Sequence, residues 1–164
     1  MNPATVIHIG TVHLHVPSLA TLLSSTDLAI GMGFAHPAEE PTGTVIDRAT
    51  GLMWSKATIA KGKTWAEAKA AAEAVRLGGY TDWRLPTRAE LLTLVDDTRS
   101  NPAIDTSRFD CESDWYWTST PLASSPSGCA WYVSFNLGGA YCNRQDGDGR
   151  VRAVRSVSSP ASGQ

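Results

Sequence analysis

Apolar and polar residues alternate with a period of two along residues 130–136 and again along residues 150–155. This period is typical of half-buried strands. The run DWYWTST at 114–120 is aromatic and β-branched, which predicts another strand. Two shorter strands are predicted within TVIDRATGLMW (44–54), with a turn at 49–51 where Thr and Gly favour a reversal. The C-terminal half is therefore predicted to be rich in strands.

Two segments between these strands have the helical period instead. TWAEAKAAAEAVRL (64–77) places its apolar residues on one face, and the glycine pair at 78–79 ends it. Thr64 with Glu67, and Thr87 with Glu90, each form the sequence of a capping box. The second helix is predicted to bury its apolar residues at 91–95, and Arg84 before it is expected to pair with a carboxylate. This order of elements favours the α+β class, with two helices on a mostly antiparallel sheet.

The segment LGGAYCNRQDGDG (137–149) separates the last two predicted strands and differs from both. It is rich in hydrogen-bonding groups and poor in apolar bulk, so it is predicted to be a loop that presents a binding surface. The arginines at 144, 150, 152 and 155 are predicted to form a local basic cluster. Calcium is disfavoured for NRQDGDG, because the distal Glu of an EF-hand loop is missing.

The tryptophans are divided between core and surface. Trp residues inside strand and helix patterns bury large areas, so most are assigned to the core. Trp115 and Tyr132 are predicted to be exposed. The core set is Trp54, Trp65, Trp83, Trp117 and Trp131.

Composition narrows the functional class. A chain of 164 residues with 42% hydrophobic and 18% charged residues fits one globular domain with a single core. A formal net charge of -2 gives no general attraction to nucleic acid, which is predicted not to be a partner. Cysteines at 111, 129 and 142 lack the spacing of a zinc site, and one 111–129 or 129–142 disulfide is left open.

The N-terminal part is predicted to be an extension, residues 1–42, that contains a strand and a connector. Residues 12–16 alternate as a strand does, with His13 and His15 on one face, although a metal pair there is disfavoured. No signal peptide or membrane-spanning run is recognisable, so membrane insertion is not expected. The main domain is predicted at 43–156 and a disordered tail at 157–164, while homo-oligomerisation is left open.

Six segments in a fixed order carry a family resemblance. They are GLMW (51–54), TWAEA (64–68), LGGYTDWRLPTRAELLTLVD (77–96), YWTST (116–120), AWYVSF (130–135) and RVRAVR (150–155). Together they resemble a C-type lectin-like domain, in the family named after the C-terminal domain of a collagen-like bacterial adhesin. That family is related in fold to the formylglycine-generating enzyme. The resemblance covers residues 43–156 and implies two helices on a twisted sheet whose polar loops form a ligand-binding face.

Residues 125–155 also resemble the variable region of a diversity-generating retroelement protein, in which reverse transcription mutates adenines and Asn codons are favoured targets. Substitution of the adenines of AAC gives codons for Ser, Gly, Asp, Tyr, Cys and Leu, among others. The residues of this set are Ser125, Ser127, Gly128, Cys129, Ser134, Leu137, Gly139, Tyr141, Cys142, Asp146, Gly147, Asp148 and Gly149. Loops are also rich in Ser, Gly and Asp for conformational reasons, so a lectin-like loop of fixed sequence remains the alternative.

The predicted function is non-catalytic binding of a protein or glycan ligand through a hypervariable surface, without cofactor or metal, on a phage virion or a cell surface. The predicted contact residues are Asp114, Trp115, Ser125, Ser127, Gly128, Cys129, Tyr132, Ser134, Asn136, Leu137, Gly139, Tyr141, Cys142, Asn143, Arg144, Gln145, Asp146, Asp148 and Arg150. The alternatives are an adhesin of fixed specificity and a thiol-dependent oxidase that uses Cys129 and Cys142. The oxidase is disfavoured because no His or Lys accompanies these cysteines in the sequence.

Overall fold

A computed structural model describes residues 5–9, 12–16 and 40–157 of two compact units, Met1–Glu39 and Glu40–Gln164. In the first unit, strands β1 (Thr5–Ile9) and β2 (Val12–Val16) pair antiparallel. The strand predicted at 12–16 is therefore confirmed. The side chains of His13 and His15, most of the connector, and the tail from residue 158 lie outside the described part.

The second unit combines two helices with two sheets. Its elements are β3 (Thr44–Asp47), β4 (Leu52–Ser55), β5 (Ala60–Lys63), α1 (Trp65–Glu73), α2 (Arg88–Leu92), β6 (Trp115–Leu122), β7 (Ser125–Ser134), β8 (Gly139–Arg144), β9 (Gly149–Val151) and β10 (Val154–Ser156). One sheet has the order β10-β4-β3 and the other β5-β9-β6-β7-β8. All of these pairings are antiparallel except β6 with β9. The unit belongs to the α+β class, although the single sheet that was predicted is divided in two.

Both helices begin at the predicted caps. The carboxylate of Glu67 accepts a hydrogen bond from the Thr64 backbone N–H at 2.9 Å, and that of Glu90 accepts one from the Thr87 N–H at 2.8 Å. These bonds satisfy amide groups that have no partner within the helix. Arg84 pairs with Glu90 through two hydrogen bonds of 2.6 and 2.8 Å, so the predicted partner carboxylate is Glu90 itself.

Both helices end earlier than predicted, α1 at Glu73 and α2 at Leu92. The chain continues in tighter turns, in which the N–H groups of Val75 and Leu94 donate to residues three positions before them. At the end of α1, Arg76 Nη1 also donates to the carbonyl groups of Glu73 and Val75. Val75 and Leu94 stay buried, because a turn of this kind keeps them on the inner face.

Two apolar clusters each join one helix to residues of both sheets. One joins Leu91 of α2 to Tyr116 and Val133, and the other joins Ala68 and Ala72 of α1 to a group around Trp117. The prediction of buried tryptophans is confirmed for Trp54, Trp83 and Trp117. Trp65 is half-buried but packs against the second cluster, with Lys69 Nζ 3.7 Å from its ring centroid. The prediction is wrong for Trp131, which is half-buried and lies beneath the Arg88 guanidinium, 3.8 Å from its ring centroid.

The C-terminal segment differs from the prediction in two ways. The predicted loop at 137–149 contains β8, because residues 139–144 complete an uninterrupted ladder with β7. The predicted strand at 150–155 is two short strands in different sheets, β9 and β10. Arg152 lies between them and is fully buried, with Nη1 donating to the Ser55 and Lys56 carbonyl groups and Nη2 to that of Asp110.

The predicted basic cluster and the disulfide that was left open are both absent from residues 40–157. Arg144, Arg150 and Arg155 each pair with a carboxylate, while Arg152 is enclosed by backbone carbonyl groups. The charges of Arg144, Arg150 and Arg155 are therefore paired separately, while the guanidinium of Arg152 is stabilised by hydrogen bonds alone. The three cysteines, Cys111, Cys129 and Cys142, are all free thiols.

Candidate ligand-binding surface

Four aromatic residues lie along one face of the β6–β7–β8 ladder. Trp117 is opposite Tyr132, which is opposite Tyr141, and Trp115 lies two residues before Trp117. Ring centroids are 6.0 Å apart for Trp115 and Trp117, 4.8 Å for Trp115 and Tyr132, and 5.9 Å for Tyr132 and Tyr141. Burial decreases along this aromatic row, from the fully buried Trp117 through two half-buried rings to Tyr141, which is 43% exposed. The row therefore connects the core to an open aromatic surface.

A shallow depression of about 320 Å³ lies beside the aromatic row. Hydroxyl and amide groups predominate among the side chains around it, next to the rings of Trp115 and Tyr132. Its lining residues are Ser113, Asp114, Trp115, Tyr132, Ser134, Asn136, Cys142 and Asn143. This central depression therefore combines two aromatic rings with hydroxyl and amide groups and the carboxylate of Asp114, a combination suited to a ligand that is partly polar and partly apolar.

A second open depression, of about 620 Å³, lies where β7 begins and β8 ends. Its lining residues are Thr64, Ser125, Ser127, Gly128, Cys129, Arg144, Gln145 and Asp146. Arg144 Nη2 is 2.7 Å from Asp146 Oδ2, and their side chains are 77% and 67% exposed. The hydrogen bond from Arg144 is the main reason that the pKa of Asp146 lies below its usual range. This distal depression therefore offers both charges to a ligand.

Two predicted contact residues, Asp114 and Arg150, belong to an ion-pair network, and Asp114 also lines the central depression. Arg150 Nη1 is 3.0 Å from Asp114 Oδ2, and Arg150 Nη2 is 2.6 Å from Glu112 Oε2. Lys61 pairs with Glu112, and its hydrogen bond is the main reason that the pKa of Glu112 lies below its usual range. Asp114 Oδ1 accepts the Trp115 backbone N–H at 2.7 Å. The network therefore holds the start of β6, and with it the first ring of the aromatic row.

Gln145 is also held by the scaffold. Its Nε2 donates to the backbone carbonyl groups of Pro126 at 3.0 Å and Cys129 at 3.2 Å. The backbone carbonyl of Gln145 accepts the Trp65 backbone N–H at 2.9 Å. These bonds tie the end of β8 to the start of β7 and to the start of α1. Ser134 is buried as well, at 9% exposure, although it borders the central depression.

The predicted contact residues differ in accessibility. The exposed ones are Ser127, Gly128, Asn136, Leu137, Tyr141, Cys142, Arg144, Asp146 and Asp148, and the half-buried ones are Asp114, Trp115, Ser125, Cys129, Tyr132, Gly139, Asn143, Gln145 and Arg150. Leu137, Gly139, Tyr141, Asp148 and Arg150 line neither depression. Tyr141 nevertheless stands at the exposed end of the aromatic row, and its ring lies over Gly139, where a Cβ would be only 3.0 Å from Tyr141 Oη.

Sequence reasoning did not assign three residues to this surface. Thr64 lines the distal depression, and Lys61 and Glu112 complete the ion-pair network. Thr64 had been explained fully by its role as a helix cap. Glu112 and Lys61 lie far from Arg150 in the sequence, and no local pattern marks residues that meet only through the sheet.

The described residues carry no group of three or more His, Cys, Asp or Glu side chains arranged to hold a metal ion. Neither α1 nor α2, the helices of the described part, is long and apolar enough to cross a membrane.

Fold and surface together define an α+β domain that displays an aromatic row and two depressions on a five-stranded sheet. The family model described as the Lcl C-terminal domain matches residues 43–155. The chain belongs to this family, and the family predicted from the six ordered segments is confirmed. A search of curated proteins finds no match.

Proposed function

We propose that this protein is a non-catalytic binding protein of the receptor or adhesin type, with a C-type lectin-like fold. The proposal depends above all on the aromatic row, which brings the Tyr141 ring to the surface next to Tyr132 and Cys142 of the central depression. Large aromatic side chains and arginines supply most of the binding energy at protein interfaces. Tyr141, Tyr132 and Arg144 are therefore the proposed anchors, with Asp146 beside Arg144.

The sheet supports this role by separating stability from contact. Val133 and Phe135 of the β7 region are fully buried, whereas Tyr141, Arg144 and Asp146 make little contribution to the core. Substitutions at exposed positions usually change stability little. A surface of this kind can therefore change its side chains without unfolding the domain.

We further propose that a retroelement diversifies this surface. Several exposed residues of the surface are ones that a substituted Asn codon can encode. These are Ser127, Gly128, Leu137, Tyr141, Cys142, Asp146 and Asp148. The direct test is to sequence the DNA around the gene for a near-copy of the codons for residues 110–155 beside a reverse transcriptase gene. Mismatches at adenines of the copy would support diversification, and the absence of a copy would favour an adhesin of fixed specificity.

Thiol chemistry is not part of the proposed function. On the β7–β8 ladder Cys129 is opposite Arg144 and Cys142 is opposite Trp131, so the two cysteines are not cross-strand partners. Diagonal neighbours in a ladder are about 7–8 Å apart, which exceeds the usual Cα separation in a disulfide. A Cys129→Ser, Cys142→Ser double variant should therefore bind as the wild type does, whereas an oxidase would lose activity.

The binding surface is tested by a matched pair of tyrosine variants. Arrays of glycans and a library of displayed proteins are screened with the full chain, and the affinity of each hit is measured for Tyr141→Ala and Tyr80→Ala. Tyr80 is 36% exposed, similar to Tyr141, but it stacks on Arg155 outside the surface. We expect Tyr141→Ala to weaken binding at least about tenfold with an unchanged melting temperature, because hot-spot truncations cost 2 kcal/mol or more. Equal affinities for both variants would contradict the proposal.

A further inference from the structure

Strand β8 forms one edge of the five-stranded sheet. Within residues 40–157 it pairs with β7 on one side, and no strand lies on the other. An edge strand presents backbone N–H and C=O groups that another strand can use. The exposed residues of β8 include Tyr141 and Cys142, which also border the proposed binding surface.

The register identifies which backbone groups of β8 face outward. The Gln145 N–H donates to the Gly128 carbonyl at 2.9 Å, one position beyond the pair of Arg144 with Cys129. In an antiparallel ladder, hydrogen-bonded pairs occur at every second position. The backbone groups of residues 143, 141 and 139 therefore face β7. Those of residues 144, 142 and 140 face away from it.

The outward groups at the end of β8 are already satisfied. The Arg144 N–H donates to Asn143 Oδ1 at 2.8 Å, and the Arg144 carbonyl accepts the Gly147 N–H at 3.0 Å. By contrast, the outward groups of Ala140 and Cys142 have no hydrogen-bond partner among residues 40–157 beyond the β7–β8 ladder. The open part of the edge therefore extends from Ala140 to Cys142.

We propose that the open edge of β8 binds an extended polypeptide segment of a partner protein, which adds to the sheet as a further strand. The outward N–H and C=O groups of Ala140 are about 6.8 Å along the strand from those of Cys142, which is twice the rise per residue. The backbone groups of an added strand that face one side repeat at the same distance, so they can pair with both residues. In strand addition, main-chain hydrogen bonds give affinity, and pockets for alternate side chains give specificity. The central depression, which Cys142 and Asn143 line, is such a pocket beside this edge.

This inference rests on the proposed function, since the edge belongs to the same surface. It also adds a property to that function. The backbone groups of residues 140 and 142 do not depend on which side chains those residues carry. Strand addition would therefore give a constant anchor for the partner, while the side chains of Tyr141 and Asn143 select its sequence.

A partner segment fits this edge better than a second copy of the chain does. In a two-fold pair of β8 strands centred on Tyr141, Ala140 of one copy would lie opposite Cys142 of the other. Gly139 would then lie opposite Asn143. A glycine has no side chain to enter the central depression, whereas a partner strand can place one there.

The probe for the test is a library of random linear peptides displayed on phage and selected on the full chain. Selected peptides are synthesised, and each backbone amide in turn is N-methylated, which removes one donor without changing a side chain. Strand addition predicts that methylation weakens binding at least about tenfold at every second residue and little at those between, because only alternate amides face β8.

A variant of the chain tests the same contact from the other side. Cys142→Pro removes an N–H that faces away from β7, the position in an edge strand where proline is tolerated. We expect Cys142→Pro to keep its melting temperature and to bind the peptides at least about tenfold more weakly, because its outward donor is lost. The control, Cys142→Ala, removes the same thiol but keeps the N–H, so it should bind the peptides at least about tenfold more tightly than Cys142→Pro does.

The outcomes separate this inference from the proposed function. Strand addition is overturned if N-methylation has no alternating effect, or if the proline and alanine variants bind equally. In either case, the proposed function stands if Tyr141→Ala still weakens binding of the peptides. Strand addition would also be overturned if the glycan arrays gave ligands and the peptide library gave none. A concentration-dependent dimer that Cys142→Pro abolishes would assign the edge to a second copy instead.

Discussion

Glu90 should make the stability of this domain depend on pH through its pairing with Arg84. Its carboxylate accepts hydrogen bonds of 2.6 and 2.8 Å from Arg84 and one of 2.8 Å from the Thr87 N–H. The Arg84 backbone in turn forms two hydrogen bonds of 2.9 Å with Val154 of β10. Glu90 therefore links the start of α2 to the three-stranded sheet, and we expect Glu90→Gln to weaken that link.

The magnitude follows from the pKa of Glu90, which falls from 4.5 to about 2, chiefly through the hydrogen bonds from Arg84. A change of this size corresponds to about 3 kcal/mol of stabilisation of the charged form. The Arg84 side chain is 40% exposed, so solvent screening reduces the expected loss to about 2 kcal/mol. Because the pKa is depressed in the folded state, this contribution is complete above pH 4.5 and is lost as the pH falls towards about 2.

The assay is urea unfolding followed by circular dichroism, over a series of pH values below neutral. Glu67→Gln is the matched control, because Glu67 has the same place in the capping box of α1 but no arginine partner. We expect Glu90→Gln to lose more stability than Glu67→Gln at neutral pH, and the difference between Glu90→Gln and the wild type to shrink in acid. Equal losses in the two variants, or a loss for Glu90→Gln that is independent of pH, would refute this account.

Two further substitutions test the interior. Gly149→Ala would place a Cβ 2.6 Å from Trp117 Nε1 and should cost about 1–3 kcal/mol by thermal unfolding. In the control, Gly147→Ala, the added Cβ meets mainly the flexible amide of Asn143, so the cost should be smaller. Equal shifts in melting temperature would contradict this. Arg152→Met removes the guanidinium donor from three backbone carbonyl groups, of which that of Lys56 keeps the Asp110 N–H, and should cost about 3 kcal/mol in urea unfolding. A variant as stable as the wild type would show that the carbonyl groups find other partners.

Local signals in the sequence predicted the starts of the elements better than their ends. The capping boxes at Thr64 and Thr87 involve residues three apart, so the pattern alone located both helix starts. The helix ends depended on Arg76 and on tight turns, for which the sequence carries a weaker signal. The division of the last predicted strand at Arg152 depends on carbonyl groups from distant segments, and no local pattern reports these.

Strand β8 was missed for a related reason. Its residues, GAYCNR, have low strand propensity, and they form a strand because β7 offers a complete ladder beside them. Within the candidate surface, Trp115 and Tyr132 were predicted to be exposed, but both are half-buried, because their rings pack edge to face across β6 and β7 with centroids 4.8 Å apart. The pairing of Arg150 with Asp114 and Glu112 was hidden, because it joins segments that are distant in the sequence.

The contacts that hold each position therefore determine which parts of the surface can vary. Asp114 and Arg150 fix the backbone of Trp115, and Trp117 leaves no space for a side chain at Gly149. Substitution at these positions would disturb the scaffold that presents the remaining contacts. Exposed positions such as Tyr141 can change at little cost in stability. A residue that a substituted Asn codon can encode is thus not by itself a position that can vary. Its side chain must also be free of contacts that stabilise the fold.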